Sequence, residues 1–270
     1  MMTDLHFQEF FKDRFVLHEQ AQSIMSEMTH VHKMSKLNSR PRNLLIIALA
    51  GAGKTALVNA FISEHGILGS TDQNSIVSVQ MPAVATEKGV MLAFLEEFNI
   101  DFVRTHTLEA LTKVFRNIVK DTGLSLIVID EFNNLFAAPK NKVLGILNIL
   151  KWIGNEFHIP IVALGTNVSN RLLTYDSQFR ERYKVSTIDA WSDGENFRNF
   201  VFTFLEQLPG KDDRKIDERT FKLLLSLTSR TTNDVISVLA HSAYEHYNGP
   251  KAKKFNTVLK DVAKRDGYLN

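Results

Sequence analysis

The chain has 270 residues, of which 44% are hydrophobic and 23% charged, with a formal net charge of +2. That balance describes a globular protein with room for one large α/β domain and a small appendage, or two modest domains, in which any grip on nucleic acid must come from local arrangement. The absence of cysteine excludes disulfides, zinc–thiolate sites and thiol catalysis, and the lack of a signal peptide or membrane-length apolar run predicts a cytoplasmic protein with no membrane partner.

Residues 1–40 read as an N-terminal helical extension. Phe7, Phe10, Phe11 and Phe15, then Leu17, Ala21, Ile24, Met25, Met28 and Val31, recur at helical spacing, a stripe expected to pack against the following domain. The polar stretch 35–42, closed by Arg40-Pro41-Arg42, breaks the pattern. From there strands and helices alternate. Apolar runs at 44–49, 76–79, 126–129, 159–164 and 185–188 are the strand candidates. Segments 89–98, 108–120, 142–156 and 170–182 between them have helical periodicity. Alternation predicts an α/β domain over 41–190, a three-layer arrangement with a parallel sheet of about five strands. After Trp191 helices alone are predicted, at 195–207, 217–226, 232–247 and 256–265, with Asn248-Gly249-Pro250 as a helix stop. Residues 191–270 therefore read as a small all-α lid domain.

The first strand runs into Ala48-Leu49-Ala50-Gly51-Ala52-Gly53-Lys54-Thr55, and a helix-like run follows at 56–62. Strand, Gly-rich turn and helix in that order are the setting of a phosphate-binding loop. Ala50, Gly51, Ala52, Gly53, Lys54, Thr55 and Ala56 are expected to cradle the phosphates of ATP, their backbone N–H groups forming an anion nest at the positive end of the helix. Lys54 would reach the β- and γ-phosphates and the Thr55 hydroxyl would ligate Mg²⁺. A chance Gly-Lys-Thr is the plain alternative, disfavoured by the flanking strand and helix. Ala48 stands where the pattern has its first Gly and lacks Gly's access to positive φ.

The third strand candidate ends in Asp130-Glu131, at the carboxyl edge where α/β folds bind ligands. Asp130 is expected to hold the Mg²⁺ shell and Glu131 to act as general base toward water. Alone, an acidic pair after a strand is a solvated loop entry. Combined with Lys54 and Thr55 it reads as a hydrolytic ATPase site.

An additional strand between the two motifs, with Glu next to the Asp, resembles the AAA+ group of ATPases. The resemblance implies a sensor-1 residue at Ala163-Leu164-Gly165-Thr166-Asn167, assigned to Asn167 with Thr166 in reserve; a helix N-cap would use the same residues. Phe179-Arg180-Glu181-Arg182-Tyr183 resembles the AAA+ arginine finger, with Arg182 the better match and Arg180 the alternative; an ion pair with Glu181 is the plain reading. A finger implies a site completed between subunits of a homo-oligomer, a ring or a helical filament.

Within that group the chain resembles the TniB/TnsC-like ATPases of transposons. The residues that carry this are Asn43-Leu44-Leu45-Ile46, Ile129-Asp130-Glu131-Phe132-Asn133-Asn134-Leu135, Ile159-Pro160-Ile161-Val162-Ala163-Leu164-Gly165-Thr166 and Asp176-Ser177-Gln178-Phe179-Arg180-Glu181-Arg182-Tyr183, with a compact helical tail containing Leu208-Pro209. The resemblance covers most of residues 40–250. It implies a bacterial regulator that assembles on double-stranded DNA with ATP and couples target-site selection, by a partner of the TniQ type, to the transposase, with hydrolysis driving disassembly.

In helical AAA+ assemblies the region between the second and third strands tends to face the central channel. Here it carries Lys88, Arg104, Lys113, Arg116 and Lys120, candidate DNA contacts that would be salt-sensitive and largely sequence-independent. Lys113, Arg116 and Lys120 share one helical face, and a solvated face is the plain alternative. A second basic cluster, Lys251, Lys253, Lys254, Lys260, Lys264 and Arg265, lies near the C-terminus and reads as DNA-binding or merely solubilising. One departure adds to Ala48: around Thr231-Thr232-Asn233-Asp234 the sensor-2 Arg is missing, with only Arg230 near. A replication-initiator or helicase-loader ATPase remains an alternative, though the helical tail does not suggest the winged helix it would want. An ATP-binding scaffold with negligible turnover is the other.

Overall fold

The computed structural model describes residues 15–35, 41–65, 75–100, 106–175, 177–208, 216–249 and 253–268. Among these, β1 (Asn43–Ala48), β2 (Ser75–Gln80), β3 (Leu124–Asp130), β4 (Ile161–Gly165) and β5 (Tyr183–Ile188) form one sheet. The strand order is β2-β3-β4-β1-β5 and every pairing is parallel. Every residue of β1 and β4 is buried, which is why both read as unbroken apolar runs. The edge strand β5 buries only Tyr183 and Ile188. β4 starts at Ile161 rather than 159 because Pro160 has no N–H for the ladder, although its carbonyl still accepts from Ile127 (3.1 Å). In sequence β2 lies between the two motifs, but in space it is the outer strand beside β3. It is β4 that sits between β1 and β3. Registers Ile47↔Gly165, Ile129↔Ala163 and Gln80↔Asp130 set the carboxyl ends of these strands side by side.

Helix α1 (Glu19–Ser35) precedes the sheet; α2 (Lys54–His65), α3 (Glu87–Glu96), α4 (Leu108–Thr122) and α5 (Lys140–Phe157) follow. The predicted N-terminal stripe is buried at Ala21, Ile24, Met25, Met28 and Val31 and exposed at Leu17; Phe7, Phe10 and Phe11 lie outside the described residues. Thr107 caps α4 by accepting from the Ala110 N–H (3.2 Å), and Gly123 in the left-handed region (φ +62°) ends it. Leu111, Phe115 and Ile118 line its buried face. Phe115 packs among Phe94, Trp152 and Phe157 in the core around the sheet.

Over the segment of helical periodicity at 170–182, a 3-10 helix at Asn167–Arg171 leads into α6 (Leu172–Tyr175) and α7 (Ser177–Arg182); Asp176 lies outside the described residues. The 3-10 turn is set by the Ser169 N–H donating to the Thr166 carbonyl (2.8 Å), a three-residue step that α-helical periodicity does not anticipate.

Helices α8 (Glu195–Glu206), α9 (Glu218–Leu227), α10 (Thr232–Asn248) and α11 (Phe255–Arg265) complete the chain. Their core gathers Trp191, Phe197, Phe200, Phe204, Phe221 and Leu239, and Val16 from the N-terminal side joins it. Two compact units result. One is Ser23–Leu49 with Lys54–Ile188; the other joins Asp189–Asn270 to Ala50–Gly53 and to the described residues up to Gln22. Among the described residues no helix is long and apolar enough to cross a membrane.

Candidate nucleotide site

Ala48 is the last residue of β1, pairs with Ile188 and has extended backbone. Positive φ is needed further along, at Gly51 (+76°) and Gly53 (+88°), so the missing first Gly falls where the chain demands no special conformation. Lys54 opens α2 with its side chain buried, and its ammonium donates to the Leu49 carbonyl (3.0 Å) and the Ala48 carbonyl (3.5 Å). The loop thus holds its own lysine beside the turn.

The Thr55 hydroxyl donates to Asp130 Oδ2 (2.7 Å), and Asp130 Oδ1 accepts from the Glu131 N–H (2.7 Å). Residues 75 apart in sequence meet because β1 and β3 end at the same edge of the sheet. A hydroxyl beside a carboxylate is a hard oxygen donor set, the chemistry that Mg²⁺ takes. Glu131 lies just beyond β3 with φ +51°. Its carboxylate accepts from Asn133 Nδ2 (3.2 Å).

At the end of β4, the Thr166 N–H donates to Asn133 Oδ1 (3.1 Å), and its side chain makes no capping bond. Asn167 opens the 3-10 helix with its side chain exposed. Arg182 ends α7 half-buried and donates to Asn155 Oδ1 (2.8 Å), while Arg180 is exposed. The structure therefore brings Lys54, Thr55, Asp130 and Glu131 to one edge, with Thr166 and Asn167 at the neighbouring strand end. Arg182 stands on a separate helix just before β5.

Of the candidate DNA contacts, Lys113, Arg116 and Lys120 do lie on the exposed face of α4. Two of them have local anionic partners: Lys113 pairs with Glu109 (3.6 Å), and Arg116 pairs with Glu156 (2.6 Å) and lies over the Trp152 ring. Lys88 is half-buried on α3. Arg104 and Lys251 fall outside the described residues. In the C-terminal cluster Lys253 pairs with Asp261 (2.6 Å) and Arg265 with Glu245 and Asp266.

Two contacts were not anticipated from sequence. Asn133, quoted in a family motif without a role, joins Glu131 to the end of β4. In the helical unit, the Asn233 N–H near the start of α10 donates to the Gly51 carbonyl (2.8 Å), and a Cβ on Gly51 would lie 3.1 Å from Thr231 Oγ1. Arg230, the residue nearest the sensor-2 position, is turned within that unit: its Nε donates to the Leu225 carbonyl (3.4 Å) and its own carbonyl accepts from the Trp191 N–H (2.8 Å).

The structure is similar to Aeropyrum pernix ORC1 in complex with DNA, with a TM-score of 0.68 and 16% identity over 96% of this chain and 70% of that one. It is similar to Aeropyrum pernix ORC2 in ADPNP–ADP complexes, with a TM-score of 0.64 and 11% identity over 96% of this chain and 71% of that one. A mutant of Thermotoga maritima RuvB matches with a TM-score of 0.55 and 14% identity, over 92% of this chain and 72% of that one. At such identities the likeness establishes the fold, that of the AAA+ P-loop ATPases. A comparison with curated proteins found no match. The family model described as "Bacterial TniB protein" matches residues 6–193. With more than half of its length matched in this way, the chain belongs to the TniB family.

Proposed function

We propose that this protein is an ATP-hydrolysing regulator of DNA transposition that assembles on duplex DNA and links a target-selection protein to the transposase. The observation that carries the enzymatic part is the Thr55–Asp130 hydrogen bond of 2.7 Å, beside buried Lys54 and next to Glu131. In this reading the N–H groups of the loop from Ala50 to Ala56 bind the phosphates and Lys54 supplies the compensating charge. Thr55 and Asp130 would hold Mg²⁺, which would supply charge neutralisation to the phosphates of the nucleotide. Glu131 takes a proton from the attacking water and Asn167 orients that water or the γ-phosphate. Arg182 acts on the site of a neighbouring subunit, and residues 191–270 form a lid. Lys88, Arg104, Lys113, Arg116 and Lys120 track DNA phosphates.

The transposition role rests on membership of the TniB family. Support for nucleotide and DNA comes from the neighbours of like fold, one in complex with DNA and one in ADPNP–ADP complexes. We predict that Glu131→Gln retains ATP binding, measured with a fluorescent nucleotide, and loses phosphate release by at least about 10²-fold. Persistent turnover in that variant would remove Glu131 as the base.

A further inference from the structure

We propose that Asn133 is a positioning residue for Glu131, fixing the carboxylate of the general base against the end of β4. The inference deepens the ATPase reading above and rests on it. The Glu131 backbone is anchored on both sides: its N–H donates to Asp130 Oδ1 (2.7 Å) and its carbonyl accepts from the Asn134 N–H (2.9 Å). Both bonds hold a non-glycine residue at φ +51°, a conformation that persists where the surroundings over-determine it. That leaves the side chain, a carboxylate on two methylenes with several rotamers open to it. Asn133 Nδ2 closes that freedom by donating to Glu131 Oε2 (3.2 Å).

Asn133 can do this because its own amide is held at the other end. Its Oδ1 accepts from the Thr166 N–H (3.1 Å), and its Nδ2 also reaches Asn134 Oδ1 (3.3 Å). Asn134 Nδ2 in turn donates to the Met81 carbonyl (3.0 Å), and the Met81 N–H donates to the Asp130 carbonyl (2.8 Å). A chain of side-chain amides thus crosses the carboxyl ends of β4, β3 and β2, with the Glu131 carboxylate attached at its middle. Gly165 leaves room for it: a Cβ there would lie 3.2 Å from both the backbone N and Oδ1 of Asn133, and would run into Ser169 Oγ. The position requires a donor and an acceptor on one short side chain. Of the isosteric residues only Asn has both; Asp can accept from Thr166 but cannot donate to Glu131, and Leu can do neither.

The test compares Asn133→Asp and Asn133→Leu with the unsubstituted 270-residue chain in steady-state Mg–ATP hydrolysis. A misplaced base costs on the order of 10²-fold in rate. We expect kcat to fall by that factor in both variants with the KM for ATP unchanged, and no further loss when Asn133→Asp is combined with Glu131→Gln, as for residues acting as a unit. Asn133→Asp keeps the acceptor for Thr166 and so covers the case in which the Leu variant fails to fold. Unchanged kcat in Asn133→Asp beside a dead Glu131→Gln overturns the positioning role alone. A rise in KM matching the fall in kcat also overturns it, because that is the mark of general loosening. If the wild-type chain itself releases no phosphate, the ATPase reading falls and takes this assignment with it.

Discussion

Single side chains decide much of the nucleotide site, and position 48 shows how. A missing loop Gly signals trouble only if that residue needs positive φ, and Ala48 is still in strand, with the left-handed conformations at Gly51 and Gly53. The motif's spacing was legible in the sequence; which of its positions carry the conformational demand was not. Asn133 is a second case, since a bond to Thr166 depends on β4 lying beside β3, which no local pattern reports. His18 offers a prediction at this scale. Its ring lies edge-on to Trp191 and Phe200 at 4.9 and 5.6 Å, and Nδ1 accepts from the Ala21 N–H (3.3 Å). Burial pushes the imidazole down to about 4. The unfolded chain therefore binds this proton below about pH 6.5 and the folded chain only below about pH 4, so stability is lost as pH falls through that window. Thermal melts of wild type and His18→Phe between pH 4 and 7 should differ in slope, the variant being flatter. Parallel curves would remove His18 from the balance.

At the scale of elements, α4 shows the division of labour along one helix. Its apolar face is built on Phe115, fully buried and in contact with three other aromatic rings. We predict that Phe115→Ala costs about 3–5 kcal/mol, read from urea unfolding, because the rigid neighbours cannot collapse into the space. A loss below about 1 kcal/mol would mean that the core repacks there. The inner strands β1, β3 and β4 were legible because burial on both faces leaves nearly unbroken apolar runs. Their ends were less so: β3 begins at Leu124, two residues before the predicted run, since Ser125 interrupts the apolar pattern yet is satisfied by donating to the Ser75 carbonyl (3.1 Å). The basic face of α4 is exposed, but spacing along one helix gives no sign that Glu156, 40 residues on, meets Arg116. A phosphate stripe built there starts from partly neutralised cations, and exposed ion pairs of this kind are weak enough to exchange for phosphate.

For the whole molecule, the proposed finger at Arg182 would make hydrolysis depend on a neighbouring subunit. Arg182 stands on α7, apart from the cluster of Lys54, Thr55, Asp130 and Glu131, and its guanidinium bonds an amide rather than a carboxylate, which leaves its charge uncompensated by that contact. We predict that Arg182→Ala and Lys54→Ala proteins are each inactive in ATP hydrolysis and that mixing them restores part of the activity. No recovery at any ratio would argue against a finger acting in trans. The most direct test of the central claim is electron microscopy of the purified chain on duplex DNA, with a non-hydrolysable ATP analogue, with ADP, and with the analogue plus Lys54→Ala protein. The account predicts rings or filaments on DNA with the analogue only, weakened as salt is raised. DNA-bound assemblies that form equally in all three conditions, or bare DNA in all three, would contradict it.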